Sequence, residues 1–324
     1  MATIDWVYAE IARKIVRGEK LRIIVKSDEH CRKAKRVLSK AELYPSSSGD
    51  IEFFVFPTNR SWVRDYGPFF LKKRIPPHDV VALRFGFNAW AKYPDWELDA
   101  EIPGLIARAL GLSLVDSPHF SGRRFVLEGG AVEANGRGTL IVTEECLLDE
   151  KVQARNPGLS RCDVELVLRN YLGAEQVLWL GRGIAGDDTH GHVDDICRFV
   201  SPSTIVAVEE KNPSDPNYHP LKENIERLKG ARLEDGSKPE IVILPMPEPI
   251  YFDGMRLPAS YANFYISNSS VLVPTFNDPS DRVALGILSE LFPTRRVVGI
   301  HSVDLVWGLG TIHCLTREQP LASY

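Results

Sequence analysis

Apolar runs of strand length recur along this chain, most of them separated by single helical stretches, and that alternation constrains the fold more than any other feature. The runs lie at residues 51–56, 80–85, 138–142, 176–180, 204–208, 241–244, 270–273 and 296–300, after a first β-branched run at 21–25. Helical spacing is read at 5–17, where Trp6, Ala9, Ile11, Ala12 and Ile15 recur near one face, and again at 30–41, 98–110, 163–172, 218–229 and 279–291. The pattern predicts an α/β protein. No Ser/Gly-rich linker splits it, so residues 1–324 are expected to form one domain. The run Leu244-Pro245-Met246-Pro247-Glu248-Pro249 is expected to be a rigid rim segment, because proline fixes φ and removes donors.

Composition narrows the partners. With 44% hydrophobic and 25% charged residues the chain can bury a large core. The net charge of -4, with basic residues dispersed, excludes an electrostatic footprint for nucleic acid or an anionic membrane and favours a small cation. Cys31, Cys146, Cys162, Cys197 and Cys314 are odd in number and lack C-x-x-C spacing, which argues against a disulfide framework or zinc ribbon and fits a reducing cytoplasm. No leader-like N-terminus and no run of about 18 apolar residues is present, so the protein is expected to be neither exported nor embedded.

Four segments concentrate polar residues beside glycine. In Trp62-Val63-Arg64-Asp65-Tyr66-Gly67-Pro68, Asp65 taken alone before glycine and proline reads as a turn cap rather than a ligand. Glu128 closes an apolar run before Gly129-Gly130, either at the surface or buried with a partner. In Gly186-Asp187-Asp188-Thr189-His190-Gly191-His192-Val193-Asp194-Asp195, four carboxylates and two histidines stand so close that mutual repulsion makes a purely structural loop costly. Finally, Cys314 follows the glycine-bearing turn Trp307-Gly308-Leu309-Gly310-Thr311-Ile312-His313, which would let backbone approach a ligand.

A lone cysteine is more often inert core than nucleophile. His190-x-His192-x-Asp194, alternating on one face of an extended strand, is a rival metal set for a metal-dependent hydrolase. That reading leaves Cys314 unemployed, whereas thiol catalysis uses all four segments. Cys314 attacks an electrophilic carbon, His192 moves protons, Glu128 orients His192, and Asp65 with Asp194 grips a planar cation. A third reading is a non-catalytic guanidinium-binding module.

The segments Ser61-Trp62-Val63-Arg64-Asp65-Tyr66-Gly67-Pro68, Phe87-Asn88-Ala89-Trp90, Leu127-Glu128-Gly129-Gly130, Thr143-Glu144-Glu145-Cys146-Leu147-Leu148, Gly191-His192-Val193-Asp194, Ala259-Ser260-Tyr261-Ala262-Asn263-Phe264-Tyr265 and Ile312-His313-Cys314-Leu315-Thr316 stand in the order of the agmatine deiminase and bacterial-type peptidylarginine deiminase family. The chain resembles that family over nearly its whole length. The resemblance implies the pentein fold, an α/β propeller of five ββαβ-type modules around a pseudo-fivefold axis with the active site at one end. It implies Cys314 as nucleophile, His192 as general acid/base, Glu128 as its orienting partner, Asp65 and Asp194 as guanidinium-binding carboxylates and Trp62 as an aromatic wall. Asp188 falls where a glutamate near the substrate's distal amine is usual.

The implied reaction adds the Cys314 thiolate to a guanidinium carbon, releases ammonia and hydrolyses a thiouronium-like intermediate, with no metal or organic cofactor. Agmatine, giving N-carbamoylputrescine, is expected over a peptidylarginine substrate. The carboxylates Asp187-Asp188 suit a second cation, and no arginine cluster stands near Trp90-Ala91-Lys92-Tyr93. A homo-oligomer, commonly a dimer, is also implied. The chain departs from the family in starting directly at Asp5-Trp6, which implies either a late start or a first module short of a strand. It also carries Leu309 where glycine is usual, Thr311 where asparagine or glycine is usual, and Asp188 in place of glutamate.

Overall fold

The computed structural model describes residues 3–45, 49–73 and 79–321. It is a mixed α/β fold in which one strand pattern recurs four times. A short first strand runs antiparallel to a central strand, and the central strand pairs in parallel with a third. The four sheets are Phe69–Lys72, Val80–Arg84 and Leu114–Asp116; Glu133–Ala134, Thr139–Thr143 and Gln176–Leu180; Cys197–Phe199, Thr204–Glu209 and Glu240–Pro245; and Tyr265–Ile266, Ser270–Thr275 and Arg296–His301. Each parallel pair needs a crossover, supplied by the helices Glu97–Leu110, Arg161–Leu172, Tyr218–Gly230 and Pro279–Leu291. A fifth sheet has two parallel strands, Leu21–Val25 and Ile51–Val55, joined by Asp28–Lys40.

Local chemistry explains where these elements begin. Ser160 and Asp163 form a reciprocal capping box, so that helix starts at Arg161, two residues before the apolar periodicity alone indicates. Asp278 and Asp281 do the same with Pro279 at the first helical position. Ser27 caps the helix that opens at Asp28 rather than at the expected residue 30. The central strands are buried on both faces, as Thr139–Thr143 shows along its whole length, which is why they read as continuous apolar runs. Beyond Pro245 the chain has no regular structure until Tyr251, in keeping with a proline-stiffened rim.

Sequence periodicity missed the first strand of every three-stranded sheet, because two to four residues are too few to show alternation. Those short strands nonetheless position the site. Asp65 precedes Phe69–Lys72, Glu128 precedes Glu133–Ala134, Asp194 precedes Cys197–Phe199 and Asn263 precedes Tyr265–Ile266, so four polar segments occupy equivalent places at the entrances of four sheets.

The largest apolar cluster joins the last two three-stranded sheets through Ile205, Leu221, Leu244, Val273 and Leu288. A second lies under Leu83, Phe125, Leu140 and Leu168. A third brings the helix Thr3–Ile15 onto the last sheet, where Val7, Ile11 and Ile15 meet Leu272, Ile300 and Ile312, with Leu21 and Leu315 alongside. Arg22 Nη1 donates to Gln319 Oε1 at 2.8 Å, so the segment near Gln319 returns to the two-stranded sheet of Leu21–Val25 and Ile51–Val55. Among the described residues no helix is long and apolar enough to cross a membrane.

Candidate active site

Cys314 lies in a turn whose shape is dictated by an indole. A single helical turn, Val306–Gly308, is closed by Leu309 in the left-handed region at φ 66°. A Cβ at Gly308 or Gly310 would stand 2.8 or 2.9 Å from the Trp62 ring, so both glycines seat that half-buried indole beside the thiol. The sequence reading assigned the glycines to ligand approach; the close neighbour is Trp62. Glycine is favoured at Leu309 because it accepts positive φ without a Cβ penalty, and the leucine instead packs on the main core.

The thiol is held from behind by Asn263. Its Nδ2 donates to Cys314 Sγ at 3.3 Å and to Asp195 Oδ1 at 2.9 Å, while its Oδ1 accepts from Thr311 Oγ1 at 2.7 Å and from the His313 amide at 3.1 Å. Thr311 therefore orients the amide that faces the sulfur. Burial, reinforced by Asp194, Asp195 and Asp65, pushes the Cys314 thiol well above its ordinary pKa.

Glu128 and His192, both buried, stand next to Asp65. Arg155 Nε donates to Glu128 Oε1 at 3.0 Å, and its other nitrogens bind the carbonyls of Gln153 and Thr189. Among the described residues Glu128 Oε2 has no hydrogen-bond partner, nor has either imidazole nitrogen of His192. His192 Nε2 is 4.0 Å from Glu128 Oε2 and Nδ1 is 3.8 Å from Asp65 Oδ1. Burial first, and then Arg155, holds His192 well below its ordinary pKa and hence neutral. Gly130 makes this convergence possible: a Cβ there would stand 2.6 Å from His192 Nδ1, 3.0 Å from Asp65 Oδ1 and 3.1 Å from Asp194 Oδ2.

Asp65 is no turn cap. It is buried, with Oδ2 accepting from Trp90 Nε1 at 2.9 Å and Oδ1 from the Gly130 amide at 3.0 Å. Trp90 reaches it from a tight turn in which Ala89, Trp90 and Ala91 all have positive φ. Burial and then Glu128 raise the Asp65 carboxyl to about 7, against the two hydrogen bonds. Asp194 Oδ2 lies 2.6 Å from His313 Nδ1 and 3.9 Å from Cys314 Sγ, whereas its Oδ1 is unpartnered. Burial and then Asp65 raise this carboxyl well above its usual range.

The rest of the His/Asp loop is scaffold and rim. Asp187 accepts from the amides of Thr189, Gly191 and His192 and so shapes the loop. Asp188 is bound by Lys92 Nζ at 2.5 Å and Tyr93 Oη at 2.8 Å. His190 has φ 63° and its Nε2 pairs with Asp149 Oδ2 at 2.9 Å. The expectation of His190, His192 and Asp194 on one strand face is therefore corrected: positive φ at His190 and Gly191 and the tight turn Val193–Asp195 break the alternation, and the His190 imidazole pairs with Asp149 while that of His192 faces Glu128 and Asp65.

Cys314, His192, Glu128, Asp65 and Asp194 thus lie together, with Trp62 against the Cys314 turn. Sequence reasoning assigned no role to Arg155, Asn263, His313 or Trp90. Asn263, His313 and Trp90 stood within the motifs already singled out, which was the available signal. The assembled centre offers a thiol, a neutral imidazole and three buried carboxyls with unused acceptor capacity. A planar cation carrying several N–H donors would satisfy those acceptors and oppose the repulsion among them.

A family model described as Porphyromonas-type peptidyl-arginine deiminase matches residues 1–320. The chain is 33% identical over 337 residues to the agmatine deiminase of Pseudomonas fluorescens, covering 97% of this chain and 86% of that one. Its structure is similar to that of the agmatine deiminase of Enterococcus faecalis, with a TM-score of 0.88 at 29% identity, covering 99% of this chain and 89% of that one. A Porphyromonas gingivalis protein provisionally named an arginine deiminase also gives a TM-score of 0.88, at 37% identity, covering 99% of this chain and 91% of that one.

Proposed function

The chain belongs to the Porphyromonas-type peptidyl-arginine deiminase family, and from that premise we propose that it is an agmatine deiminase, hydrolysing agmatine to N-carbamoylputrescine and ammonia. The observation that carries the reading is the buried, unpartnered set at the centre: Glu128 Oε2, Asp194 Oδ1 and both nitrogens of His192. Buried polar atoms without partners cost roughly 1–3 kcal/mol each, so a protein that keeps four in one place keeps them for a ligand.

The residues support a two-stage reaction. Asp65 and Asp194 hold the guanidinium, and its positive charge opposes the burial that keeps Cys314 protonated, which favours the thiolate. Asn263 Nδ2–H steadies the sulfur from 3.3 Å. Cys314 gives its proton to His192 as its sulfur adds to the guanidinium carbon; the imidazolium so formed passes that proton to the departing nitrogen, which leaves as ammonia. Water then gives its proton to His192, attacks the thiouronium carbon and displaces the thiolate, leaving a ureido product. Glu128, anchored by Arg155, faces the imidazolium that forms transiently within each stage.

We extend the reading to the architecture. The four repeated sheets and the two-stranded sheet are the five modules of a pentein propeller around one axis, the whole chain acting as one catalytic unit. Among the described residues the sheet of Leu21–Val25 and Ile51–Val55 has two parallel strands, and the segment near Gln319 lies against it through Arg22. Asp188 is assigned to the distal ammonium of agmatine, in competition with Lys92.

Ammonia release from agmatine, free arginine and C-terminal arginyl peptides tests the substrate. Agmatine is expected to give by far the highest kcat/KM; turnover of the peptides alone overturns the assignment.

A further inference from the structure

Cys146 takes part in none of these steps, yet its thiol lies against the proton-transfer pair. We propose that Glu128, Cys146 and His192 form a site for one thiophilic divalent cation of the zinc class, and that its occupation shuts the enzyme off.

One carboxylate oxygen, one sulfur and one imidazole nitrogen from these residues all lie within 4.8 Å of one another. All three residues are buried, at 0%, 1% and 1% exposure. Arg155 occupies Glu128 Oε1 and leaves Oε2 without a partner, while both His192 nitrogens are free of hydrogen bonds. Glu128 Oε2 and His192 Nε2, 4.0 Å apart, can therefore ligate a metal without breaking a hydrogen bond in the protein. The Cys146 backbone is pinned in turn, its amide donating to Thr143 Oγ1 at 3.1 Å at the start of the helix Glu144–Leu148.

A sulfur, nitrogen and oxygen set is one that zinc takes, at bond lengths of about 2.0–2.3 Å, with water in the remaining position. Ligands at those lengths stand roughly 3.5 Å apart, so binding draws the three side chains together by about an ångström. The balance is simple: the Cys146 S–H bond breaks, its proton passes to solvent, and a sulfur–metal bond forms while Glu128 Oε2 and His192 each donate a lone pair. Burial, the main cause of the raised Cys146 pKa, is offset by the cation's own charge. Once metal holds the imidazole lone pair, His192 cannot carry protons. The inhibitory consequence rests on the catalytic role proposed for His192; the binding site does not.

Cobalt(II) titrated into the full-length Cys314→Ala protein tests binding without turnover. A thiolate-to-cobalt charge-transfer band reaching one equivalent is expected, and it should vanish in Cys314→Ala/Cys146→Ser. Absence of the band in Cys314→Ala, or its persistence after Cys146 is replaced, overturns the proposal. Circular dichroism checks folding, and Cys146→Ala or His192→Gln in the same background gives a second readout should the serine variant fold poorly. In the unmodified enzyme, equimolar zinc should cut agmatine turnover by at least about tenfold, reversibly with chelator, and the ratio of rates with and without zinc should approach one in Cys146→Ala. An unchanged ratio in that variant means the metal sits elsewhere, on Cys314 for instance, and rejects the assignment.

Discussion

Two buried polar regions lie side by side in this molecule, and they are finished differently. Around Arg198 every charge has a partner: Nε donates to Glu133 Oε2 at 2.9 Å, Nη1 to the Phe264 carbonyl at 2.7 Å, and Glu133 Oε1 accepts from the Phe199 amide at 3.0 Å. Around Cys314 the carboxyls of Asp65 and Asp194 face each other across Gly130, and the His192 imidazole has no hydrogen-bond partner among the described residues. The first region ties sheets together. The second is left incomplete, and the difference marks where a ligand belongs: networks kept for structure satisfy their members, while networks kept for chemistry wait for the substrate.

The contrast predicts opposite responses to substitution. Cys314→Ala should abolish deimination, by on the order of 10⁴-fold or more in kcat, as expected for loss of a covalent nucleophile, and should leave thermal stability unchanged or raised because nothing in the fold depends on the thiol. A melting temperature well below that of the unmodified protein would place Cys314 in the structural region instead. Arg198→Met should do the reverse. Stranding the Glu133 carboxylate costs about 3–5 kcal/mol in denaturant unfolding, whereas turnover per folded molecule falls by less than about tenfold.

The same contrast explains what could be read from sequence. Cys314, His192, Glu128, Asp65 and Asp194 announce themselves because each sits in a short polar segment beside glycine, and the glycine is local. Their supports do not. Trp90 reaches Asp65 across 25 residues and Asn263 reaches Cys314 across 51, and no spacing rule joins such pairs before the sheets are assembled. The strands that carry the parallel pairs were legible as apolar runs except the three-residue Leu114–Asp116, which was missed, and the two-residue strands at Glu133–Ala134 and Tyr265–Ile266 exist only because a neighbour pairs with them. Leu309 and Thr311, departures in sequence, each have a physical account: one strained residue held by packing, and one hydroxyl that orients Asn263.

Protonation sharpens the contrast further. Asp65 titrates near 7 in the free protein, above its ordinary 3.8. Its folded pKa is raised, so its ionisation costs folding stability progressively as pH rises from about 4 to about 7, and its protonated form is the one the fold prefers. Guanidinium binding needs the ionised form. The kcat/KM for agmatine should therefore climb with pH along an ascending limb centred near 7. Trp90→Phe removes a hydrogen bond that favours the carboxylate, so the limb should move upward by about half a unit or more. A limb unmoved in that variant would assign the titration to another group.

The smallest effect tests the rim. Lys92 Nζ stands 2.5 Å from Asp188 Oδ1, with side-chain exposures of 40% and 13%, so the pair lies at the solvent edge rather than in the unpartnered centre. Such pairs contribute at most about 1 kcal/mol because water and salt screen them. An ammonium arriving at Asp188 must displace Lys92 or share the carboxylate with it and with Tyr93, and it is repelled by Lys92 in either case. Lys92→Ala should consequently lower KM for agmatine by up to about fivefold with kcat altered less than about twofold, the signature of a binding change away from the reacting atoms. Free arginine carries a carboxylate at the same end, so its KM should rise in this variant. Movement of both constants in the same direction, or of kcat rather than KM, would show that Lys92 and Asp188 belong to the scaffold and that the distal end of the substrate is recognised elsewhere.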